Sequence, residues 1–367
     1  MSHILIDARI VNSSTGTYVE RLLHYLEQVD TTNQYTVVVP SKDLDYWQPT
    51  NPNFSVVAGD FKNYSVEEQF GFKKFIDKIS PDLVHFCMPQ QPVFYKGKTV
   101  TTFHDLSLLR VYNSDKNWLV FHVKQLIGKV VFKMAANKTD HILTPTNFVR
   151  EDVAKTLKVP LDKITTTYEA SEVKVENIEP FEHPFKKFLI YVGQQSDYKN
   201  IGRLAEAHQK LLAKHPDLGL ILVGKLNKSA STNKAKFEKL GYKNILFTDF
   251  IPNSQRDWLY QQAEAFVFPS LTEGFGLPGL EAMGYGAPVV SSNATCLPEV
   301  YGDAAEYFDP LDVDDMAAAI DRVLTDDKLR KSLESKGTKK VSEYSWRRMA
   351  EQTHEAYEQV LKNSSEK

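Results

Sequence analysis

Short apolar runs alternate with amphipathic, helix-like stretches from one end of the chain to the other. This alternation predicts parallel α/β architecture. In the first half the predicted strands are residues 4–7, 35–39, 83–86, 99–103 and 142–144. In the second half they are residues 188–192, 218–223, 245–248, 265–268 and 288–291. Two such sets indicate two doubly wound sheets, whose ligands bind beyond the carboxyl ends of the strands.

The domain organisation follows from length and from one irregular stretch. At 367 residues the chain is long enough for two domains. We place the boundary in residues 171–187, SEVKVENIEPFEHPFKK, because this stretch is charged, contains two prolines and lacks periodicity. The prediction is a Rossmann-like domain over residues 1–175, a second over 185–345, and a C-terminal helix and tail over 346–367.

Composition and charge narrow the class of protein. Hydrophobic residues make up 42% and charged residues 25% of the chain, and a net charge of −3 gives no reason to expect a nucleic-acid partner. Cys87 and Cys296 cannot form a disulfide framework, which favours a reducing compartment. Asp7 and Arg9 interrupt the apolar N-terminus, and no apolar run reaches the roughly 20 residues that span a bilayer. We expect a cytoplasmic protein, with at most a weak peripheral contact at the inner face of the membrane.

The densest candidate chemistry is in residues 266–290, FVFPSLTEGFGLPGLEAMGYGAPVV. A predicted strand runs into a glycine-containing loop, and a helix follows. This loop and helix carry Glu273, Gly274, Phe275, Gly276, Leu277 and Glu281. Glycines at a strand-to-helix turn let a ligand approach the backbone, and the amides at the start of a helix favour anionic oxygens. Because the two carboxylates add acceptors for hydroxyl groups, the mixture suits a ligand with a phosphate, a ribose and a sugar.

The same segment contains a G-x-G-x-x-G sequence, which taken alone would suggest a dinucleotide-binding oxidoreductase. That fingerprint normally follows the first strand of its fold, whereas this one follows a late strand. Pro278 also stands where the opening helix should present an amide. We therefore discount a dehydrogenase.

A second candidate loop follows the first strand of the second half, in YVGQQSDYKNIGRL. Gly193 comes directly after the strand and Lys199 stands in the loop before the next helix. A lysine there can neutralise a diphosphate as a point charge, although an ordinary exposed lysine is the alternative. Its position at a strand's carboxyl end places it at the same sheet edge as Glu273.

Taken together, YVG…KN, PSLTEGFGLPGLEAMGYGAPVVSS and LPEVYGDAAEYFDP resemble the retaining glycosyltransferases of family 4. The resemblance covers nearly the whole chain and is greatest to the bacterial branch of mannosyl- and rhamnosyltransferases. Glu273-x7-Glu281 matches the paired-glutamate motif of that family. The resemblance implies the GT-B fold, in which two Rossmann-like domains face each other across a cleft and a C-terminal helix follows the second domain.

By position, the resemblance also implies roles for individual residues. Glu273 would contact the donor sugar or the adjacent phosphate, and the amides of residues 274–277 would line the sugar and the diphosphate. Glu281 would accept hydrogen bonds from the ribose, and Lys199 would hold the diphosphate. The base would lie near Gly224 and Lys225.

The sequence departs from the family pattern at one place. Many relatives have an arginine that assists the lysine, either directly after the glycine or directly before the lysine. Gln194 and Tyr198 occupy those positions here. Phosphate charge would then rest on Lys199, on backbone amides or on a cation elsewhere.

The first half offers further candidates. Gly16 lies in a polar loop before a helix and resembles the family's N-terminal glycine loop, which approaches the donor phosphate; a plain turn residue is the alternative. His104 follows a buried strand, where a histidine can donate to a sugar hydroxyl or to departing charge and the adjacent Asp105 can orient it. A structural histidine would be the default, but relatives carry a functional histidine in the matching segment.

Two weaker features complete the first half. In TPTNFVREDVAKTL, Asn147 is a candidate helix cap, and relatives place this loop near the interdomain cleft, which makes Thr146 and Arg150 minor candidates. His122 and His141 have no such support and are interpreted as structural. Residues 119–134 form a basic amphipathic helix with apolar positions 119, 123, 126, 127, 130, 131 and 134 on one face. Such a face can lie on anionic lipid, but we favour packing in the core.

These observations lead to a functional prediction. A glycosyl diphosphate already has an activated leaving group, so an enzyme need only stabilise departing charge and position a hydroxyl. We identify no metal-ligand constellation of the Asp-x-Asp kind that suits a Mg²⁺–diphosphate bridge, and we expect no metal cofactor. We predict a metal-independent hexosyltransferase, retaining by resemblance, with His104 and Glu273 at the catalytic centre. GDP-mannose is the first expectation for the donor and a glycan or lipid-linked hydroxyl for the acceptor. The alternatives are a nucleotide-sugar 2-epimerase of the same fold and a non-catalytic sugar-nucleotide binding protein.

Overall fold

The computed structural model describes residues 1–13, 15–63, 65–110, 118–173 and 177–362. These residues divide into two compact units. The first holds those within Met1–Leu109, Val123–Glu169 and Ser345–Lys367. The second holds those within Arg110–His122 and Ala170–Tyr344. The predicted tail at 363–367 lies outside the described residues.

A seven-stranded parallel sheet forms the centre of the first unit, in the order β3-β2-β1-β4-β5-β6-β7. Its strands are β1 (His3–Asp7), β2 (Gln34–Val39), β3 (Phe54–Ala58), β4 (Leu83–Phe86), β5 (Thr99–Thr102), β6 (His141–Thr144) and β7 (Ile164–Thr166). The helices in this part of the chain are α1 (Gly16–Val29), α2 (Lys73–Ile79), α3 (Ser107–Arg110), α4 (Trp118–Lys138) and α5 (Asn147–Leu157). A π-helical turn, Glu68–Phe72, leads into α2.

The second unit has a six-stranded parallel sheet in the order β10-β9-β8-β11-β12-β13. Its strands are β8 (Lys187–Val192), β9 (Leu218–Val223), β10 (Ile245–Phe247), β11 (Ala265–Phe268), β12 (Val289–Ser292) and β13 (Ala305–Phe308). Its helices are α6 (Ile201–Leu211), α7 (Lys228–Lys239), α8 (Asn253–Gln262), α9 (Leu277–Gly284), α10 (Leu297–Tyr301), α11 (Val313–Thr325) and α12 (Asp327–Ser342). Strand order reverses between β8 and β11, so the loops after these two strands flank the crevice where such sheets bind ligands.

The α/β prediction is confirmed, and all ten predicted strands are present within a residue or so of their expected ends. Three strands were not predicted: β3, β7 and β13. Each lies at an edge of its sheet. Edge strands bury less side-chain surface than central ones, so their sequences lack the continuous apolar run that reveals a buried strand.

The predicted final helix is α13 (Trp346–Lys362), and it packs on the first unit rather than on the second. Tyr357 in this helix is fully buried, and its hydroxyl lies 2.6 Å from Nδ1 of His85. Burial lowers the pKa of His85 to about 3, so the ring is neutral and serves as a hydrogen-bonding core residue. The chain therefore returns to the first unit after completing the second.

The exposure of side chains on α4 shows that the predicted core packing of its apolar face is wrong. Its buried side chains are Phe132, Ala135 and Ala136. Leu126, Ile127 and Val130, which we expected in the core, are 65%, 52% and 53% exposed, and Met134 is also exposed. Side chains at 119–121, 123 and 124 lie outside the described part of the chain. Among the described residues, no helix is long and apolar enough to cross a bilayer.

Candidate active site

The loops after β8 and β11 are tied together by backbone and side-chain hydrogen bonds. The amide of Leu271 donates to the carbonyl of Tyr198 at 2.8 Å. Asn200 is buried and left-handed, with φ of 61°, and its side-chain amide donates to the carbonyls of Pro269 and Pro310 at 3.1 and 2.7 Å. The asparagine after Lys199 therefore fixes the lysine's loop against the loop that carries Glu273.

Lys199 and Glu273 form the ion pair at the centre of this region. Lys199 Nζ lies 2.6 Å from Glu273 Oε1, and the side chains are only 15% and 12% exposed. Burial alone would lower the pKa of Lys199, but the carboxylate of Glu273 outweighs it and the pKa is raised. The lysine is thus held in its charged form at the carboxyl edge of the sheet.

Aromatic rings and a neighbouring loop hold the pair in place. Lys199 Nζ lies 5.0 Å from the ring centroid of Tyr198 and 5.6 Å from that of Phe268, both within the range of cation–π attraction. The amide of Glu273 donates to Thr295 Oγ1 at 3.1 Å. Tyr198, which occupies one of the family's arginine positions, thus supports the lysine with its ring.

The predicted turn from strand to helix is present. Helix α9 begins at Leu277 as expected, after Gly276 with φ of +96°. The Gly276 carbonyl accepts a hydrogen bond from Tyr301 at 2.5 Å. Phe275 is buried and packs edge-on against Tyr344, with ring centroids 5.6 Å apart, so Phe275 can meet a ligand only through its backbone.

The glycine spacing of this segment has a packing explanation. A Cβ on Gly279 would lie 2.3 Å from the Tyr301 hydroxyl, and one on Gly276 would lie 2.5 Å from the same atom. Tyr301 is fully buried beneath both positions. Glycine is therefore needed at positions 276 and 279 because the Tyr301 side chain occupies the space of a Cβ atom. This packing role agrees with the prediction that the G-x-G-x-x-G sequence is not a dinucleotide-binding fingerprint.

Glu281 lies on α9 beside two groups that the sequence did not reveal. Its Oε2 accepts a hydrogen bond from Tyr260 at 3.3 Å. Burial would lower the pKa of Arg256, but the nearby carboxylates, Glu281 foremost, raise it. Arg256 also forms an ion pair with Asp257 at 2.7 Å. This arginine on α8 is a cation on the Glu281 side of the site, and no local motif marked it.

Gly193 and Gly224 end adjacent strands and meet backbone to backbone. They have φ of +143° and +151°, and a Cβ on Gly224 would lie 2.4 Å from the Gly193 carbonyl oxygen. Lys225 follows, with its Nζ 5.8 Å from the ring of the exposed Phe250. Glycine is thus required at these strand ends by geometry, and the base-contacting role of Gly224 and Lys225 remains a prediction.

In the first unit, Gly16 opens α1 where no side chain fits. A Cβ there would lie 1.8 Å from the Val11 carbonyl oxygen, and the Gly16 amide donates to the carbonyl of Ser13 at 2.9 Å. The glycine is therefore sterically required by its own loop, whether or not it also approaches a phosphate.

His104 lies just beyond β5 but has a different partner from the one we expected. Its Nδ1 is 3.5 Å from Oε1 of Glu169, and its Nε2 donates to the carbonyl of Cys87 at 3.0 Å. Tyr18 packs edge-on against the imidazole, with ring centroids 4.7 Å apart. Asp105 instead accepts from the amide of Ser107 at 2.6 Å. The carboxylate beside the His104 ring is therefore that of Glu169, which follows β7, and not that of Asp105.

The minor candidates have structural contacts. Thr146, not Asn147, caps α5, since its hydroxyl accepts from the amide of Val149 at 3.2 Å. Arg150 donates to the carbonyls of Ile164 and Leu161 at 3.0 Å each, which fastens α5 to the segment around β7. No cluster of three or more His, Cys, Asp or Glu residues that could hold a metal ion occurs in the described part of the chain.

Comparisons with known proteins agree with this architecture. Residues 15–170 match the family described as Glycosyltransferase Family 4, and residues 175–340 match the family described as Glycosyl transferases group 1. Sucrose-phosphate synthase from Thermosynechococcus elongatus has the same fold, with a TM-score of 0.76 at 18% identity over 99% of this chain and 100% of that one.

Two similar proteins are named as mannosyltransferases. O-antigen chain mannosyltransferase B of Escherichia coli is 31% identical over 271 residues, which cover 71% of this chain and 70% of that protein. Serotype-specific mannosyltransferase WbdA of Escherichia coli is 27% identical over 321 residues, which cover 79% of this chain and 38% of that longer protein.

The two parallel-sheet Rossmann-like units, together with the family matches and the similar mannosyltransferase, identify the chain as a glycosyltransferase of the GT-B class. Within that class, the chain belongs to glycosyltransferase family 4.

Proposed function

We propose that this enzyme transfers mannose from GDP-mannose to a hydroxyl of a glycan or lipid-linked acceptor, with retention of configuration and without a metal ion. The sugar assignment is supported by the 31% identity to O-antigen chain mannosyltransferase B. The proposal of charge stabilisation without metal is supported by the charged Lys199, which is held 2.6 Å from Glu273 in the loop before α9. We keep dTDP-rhamnose and UDP-hexoses as the next donors to test.

In the proposed mechanism the second unit holds the donor. Lys199 and the amides of residues 274–277 would share the charge of the diphosphate, because a cation and the start of a helix both attract phosphate oxygens. Glu281 would accept from the ribose hydroxyls, with Arg256 beside it. Glu273 would turn from its ion pair toward the sugar hydroxyls when the diphosphate supplies Lys199 with another anion.

The chemical step requires one bond to break as another forms on the same face of the sugar. The bond between C1 and the phosphate oxygen breaks, the acceptor oxygen bonds to C1, and the departing phosphate takes the proton of the acceptor hydroxyl. His104 would donate a hydrogen bond to a sugar hydroxyl in this state, which requires its Nε2 to exchange the Cys87 carbonyl for the ligand.

The donor assignment is tested by thermal shift with GDP, UDP, dTDP, ADP and NAD. We expect a stabilisation by GDP that exceeds that by the others, since a ligand that binds only the folded state raises its melting temperature. Stabilisation by UDP or dTDP instead would replace GDP-mannose with another donor, and stabilisation by NAD alone would contradict a transferase.

Variants separate binding from chemistry. Glu281→Gln is expected to weaken donor binding more than turnover, and His104→Ala to lower kcat more than donor affinity. Lys210→Met, which removes an exposed lysine of α6, is the matched control and should change neither. Wild-type kinetics for both site variants would refute the assignment. Product analysis without acceptor distinguishes a 2-epimerase, which would convert the donor alone, and absence of any turnover would favour a non-catalytic binding protein.

We also propose that the first unit contacts an anionic lipid surface through α4. The helix exposes several apolar side chains, the last of them Met134. Lys138 lies one turn further along the same face. Its Nζ donates to the Val93 carbonyl at 2.9 Å. The next residue, Phe94, is exposed and stacks on exposed Phe70, with ring centroids 6.3 Å apart. The apolar surface thus continues from the helix to this aromatic pair.

Charge supports this choice of partner. Residues 118–138 contain four lysines and no acidic residue, although the whole chain has a net charge of −3. An apolar face with lysines at its rim is the pattern by which helices lie in an anionic interface.

Vesicle co-sedimentation tests the contact. Lys129→Glu with Lys133→Glu should weaken binding to phosphatidylserine vesicles by at least roughly 30-fold, because each lost lysine costs about 1 kcal/mol and each new carboxylate adds repulsion. Lys234→Glu with Lys239→Glu, on the exposed face of α7, makes the same charge change and should have no such effect. Equal vesicle binding by the two double variants would contradict the proposed membrane contact.

A further inference from the structure

A cavity of about 490 Å³ lies between α6 and α7 in the second unit, apart from the residues assigned to the donor. Its polar lining includes Gln195, Arg203, Glu206, Asn233, Lys236 and Tyr242. Neither Lys199 nor Glu273 belongs to it. The mechanism above gives this cavity no role.

Gln195 brings a buried hydrogen-bond donor to the cavity. The side chain is 2% exposed, and its Oε1 accepts from Nδ2 of Asn233 at 3.3 Å. With the two side-chain amides in this orientation, Nε2 is the end of the Gln195 amide that does not contact Asn233. Within the described residues Nε2 has no hydrogen-bond partner, and a buried donor without a partner is costly. A ligand oxygen in the cavity would satisfy it.

The charges around the cavity favour a neutral ligand. Arg203 and Lys236 contribute two cations, and Asp197 and Glu206 contribute two carboxylates. A hydroxyl group both donates and accepts hydrogen bonds, so a polyhydroxylated molecule can serve the carboxylates, the cations and the Gln195 amide together. A simple anion would meet two carboxylates, and a simple cation would meet two positive groups.

An aromatic surface completes the lining. Tyr242 lines the cavity and is half-buried, and the buried Phe237 stacks on it with ring centroids 5.7 Å apart. Aromatic side chains supply apolar area with a defined geometry, and the C–H faces of a pyranose ring are flat enough to lie on them. Small-molecule sites generally combine an apolar surface with a few hydrogen-bonding side chains, and this cavity has both.

We propose that this cavity is a second saccharide site, which binds one or two sugar residues of a glycan independently of the donor. The inference rests on the proposed function insofar as a mannosyltransferase that extends glycans would meet mannose-containing chains. Gln195 lies in the loop between β8 and α6 that also carries Lys199. The site would therefore hold a glycan beside the donor loop.

Gly202 offers a way to block the cavity without disturbing the core. It lies in α6 and lines the cavity, and a Cβ there would meet only Lys236 Nζ, at 3.8 Å. Gly202→Leu would project into the cavity, while Gly202→Ala adds one methyl group. Both replace glycine in a helix by a better helix former, so neither should impair folding.

The test is saturation-transfer NMR with methyl α-mannoside and an α-linked mannobiose, on the full chain with saturating GDP in the donor site. We expect transfer to the sugars in the wild type and in Gly202→Ala, and at least tenfold weaker binding in Gly202→Leu and Gln195→Leu. GDP affinity, measured separately by calorimetry, should be unchanged in all four proteins.

Several results would overturn the inference. Equal sugar signals in wild type and Gly202→Leu would place the sugar elsewhere, and no signal in the wild type would mean that the cavity binds neither sugar. Displacement of the sugar by millimolar inorganic phosphate would indicate an anion site. If GDP-mannose is consumed normally while no sugar binds the cavity, only this inference fails. If sugar binding is lost in Gly202→Leu while GDP does not bind even the wild type, the donor proposal fails and the saccharide site stands.

Discussion

Replacing Lys199 by methionine should destabilise the second unit, even though methionine can fill the space of the lysine's aliphatic chain. The Lys199 ammonium and the Glu273 carboxylate are both mostly buried and lie 2.6 Å apart. Removing the cation leaves the carboxylate desolvated without a counter-charge. Breaking such a pair typically costs about 3–5 kcal/mol, because the remaining charge loses both water and partner. For a unit of this size, each kcal/mol of lost stability lowers the melting temperature by about 2–4 °C. A loss of about 3 kcal/mol therefore corresponds to a fall of roughly 6–12 °C.

A double-mutant cycle distinguishes this explanation from simple loss of packing. We would record thermal melts of the wild type, Lys199→Met, Glu273→Gln and the double variant. The double variant should be more stable than Lys199→Met, because no unpaired charge remains. Lys210→Met in α6, the helix that follows the Lys199 loop, removes an exposed partner of Asp314, and its melting temperature should match the wild type. If Lys199→Met melts like Lys210→Met, or if the two site substitutions are simply additive, the reasoning about the buried pair is wrong.

Three further predictions concern the first unit. Gly16→Ala should cost about 1–3 kcal/mol in a thermal melt, because its methyl group would overlap the Val11 carbonyl, whereas Gly202→Ala should be neutral or stabilising; equal effects would refute the steric argument. The Asp30 partner raises the pKa of His354, so their pair stabilises the fold below the ordinary histidine pKa, and this contribution is lost as pH rises through the raised value. The difference in melting temperature between wild type and His354→Gln should therefore shrink from pH 6 to pH 9, and a constant difference would contradict it. Thr146→Ala should cost about 1 kcal/mol as a lost helix cap, with recovery in Thr146→Ser; no change in the melt would contradict the capping role.

The sequence revealed the central strands because they are buried on both faces and read as apolar runs. The edge strand β7, ITT, has no such run, since only Ile164 in it is buried. That omission had a consequence for the site. Glu169 follows β7, and the rule that places ligands beyond strand ends would have drawn attention to it had the strand been recognised. Asp105, the nearer carboxylate in sequence, was chosen instead, and the structure gives it to the Ser107 amide.

The loops after β8 and β11 were predicted well because glycine spacing and strand ends are local features. As expected, Gly193 and Lys199 lie between β8 and α6, Glu273 lies between β11 and α9, and Glu281 lies within α9. Arg256 was missed for the opposite reason. It belongs to a helix that precedes β11, and its proximity to Glu281 depends on how α8 and α9 pack rather than on any short pattern. The exposed face of α4 was also missed, because an apolar helical face looks the same in sequence whether it meets a core or a lipid surface.

We propose above all that the enzyme transfers mannose from GDP-mannose with retention of configuration and without a metal ion. Proton NMR of one reaction tests it most directly, with GDP-mannose, an α-mannose-terminated primer and excess EDTA. We predict release of GDP together with a new α-anomeric signal in the product, and loss of both in His104→Ala. A β-anomeric product, a reaction that stops in EDTA, or conversion of the donor without acceptor would contradict the claim.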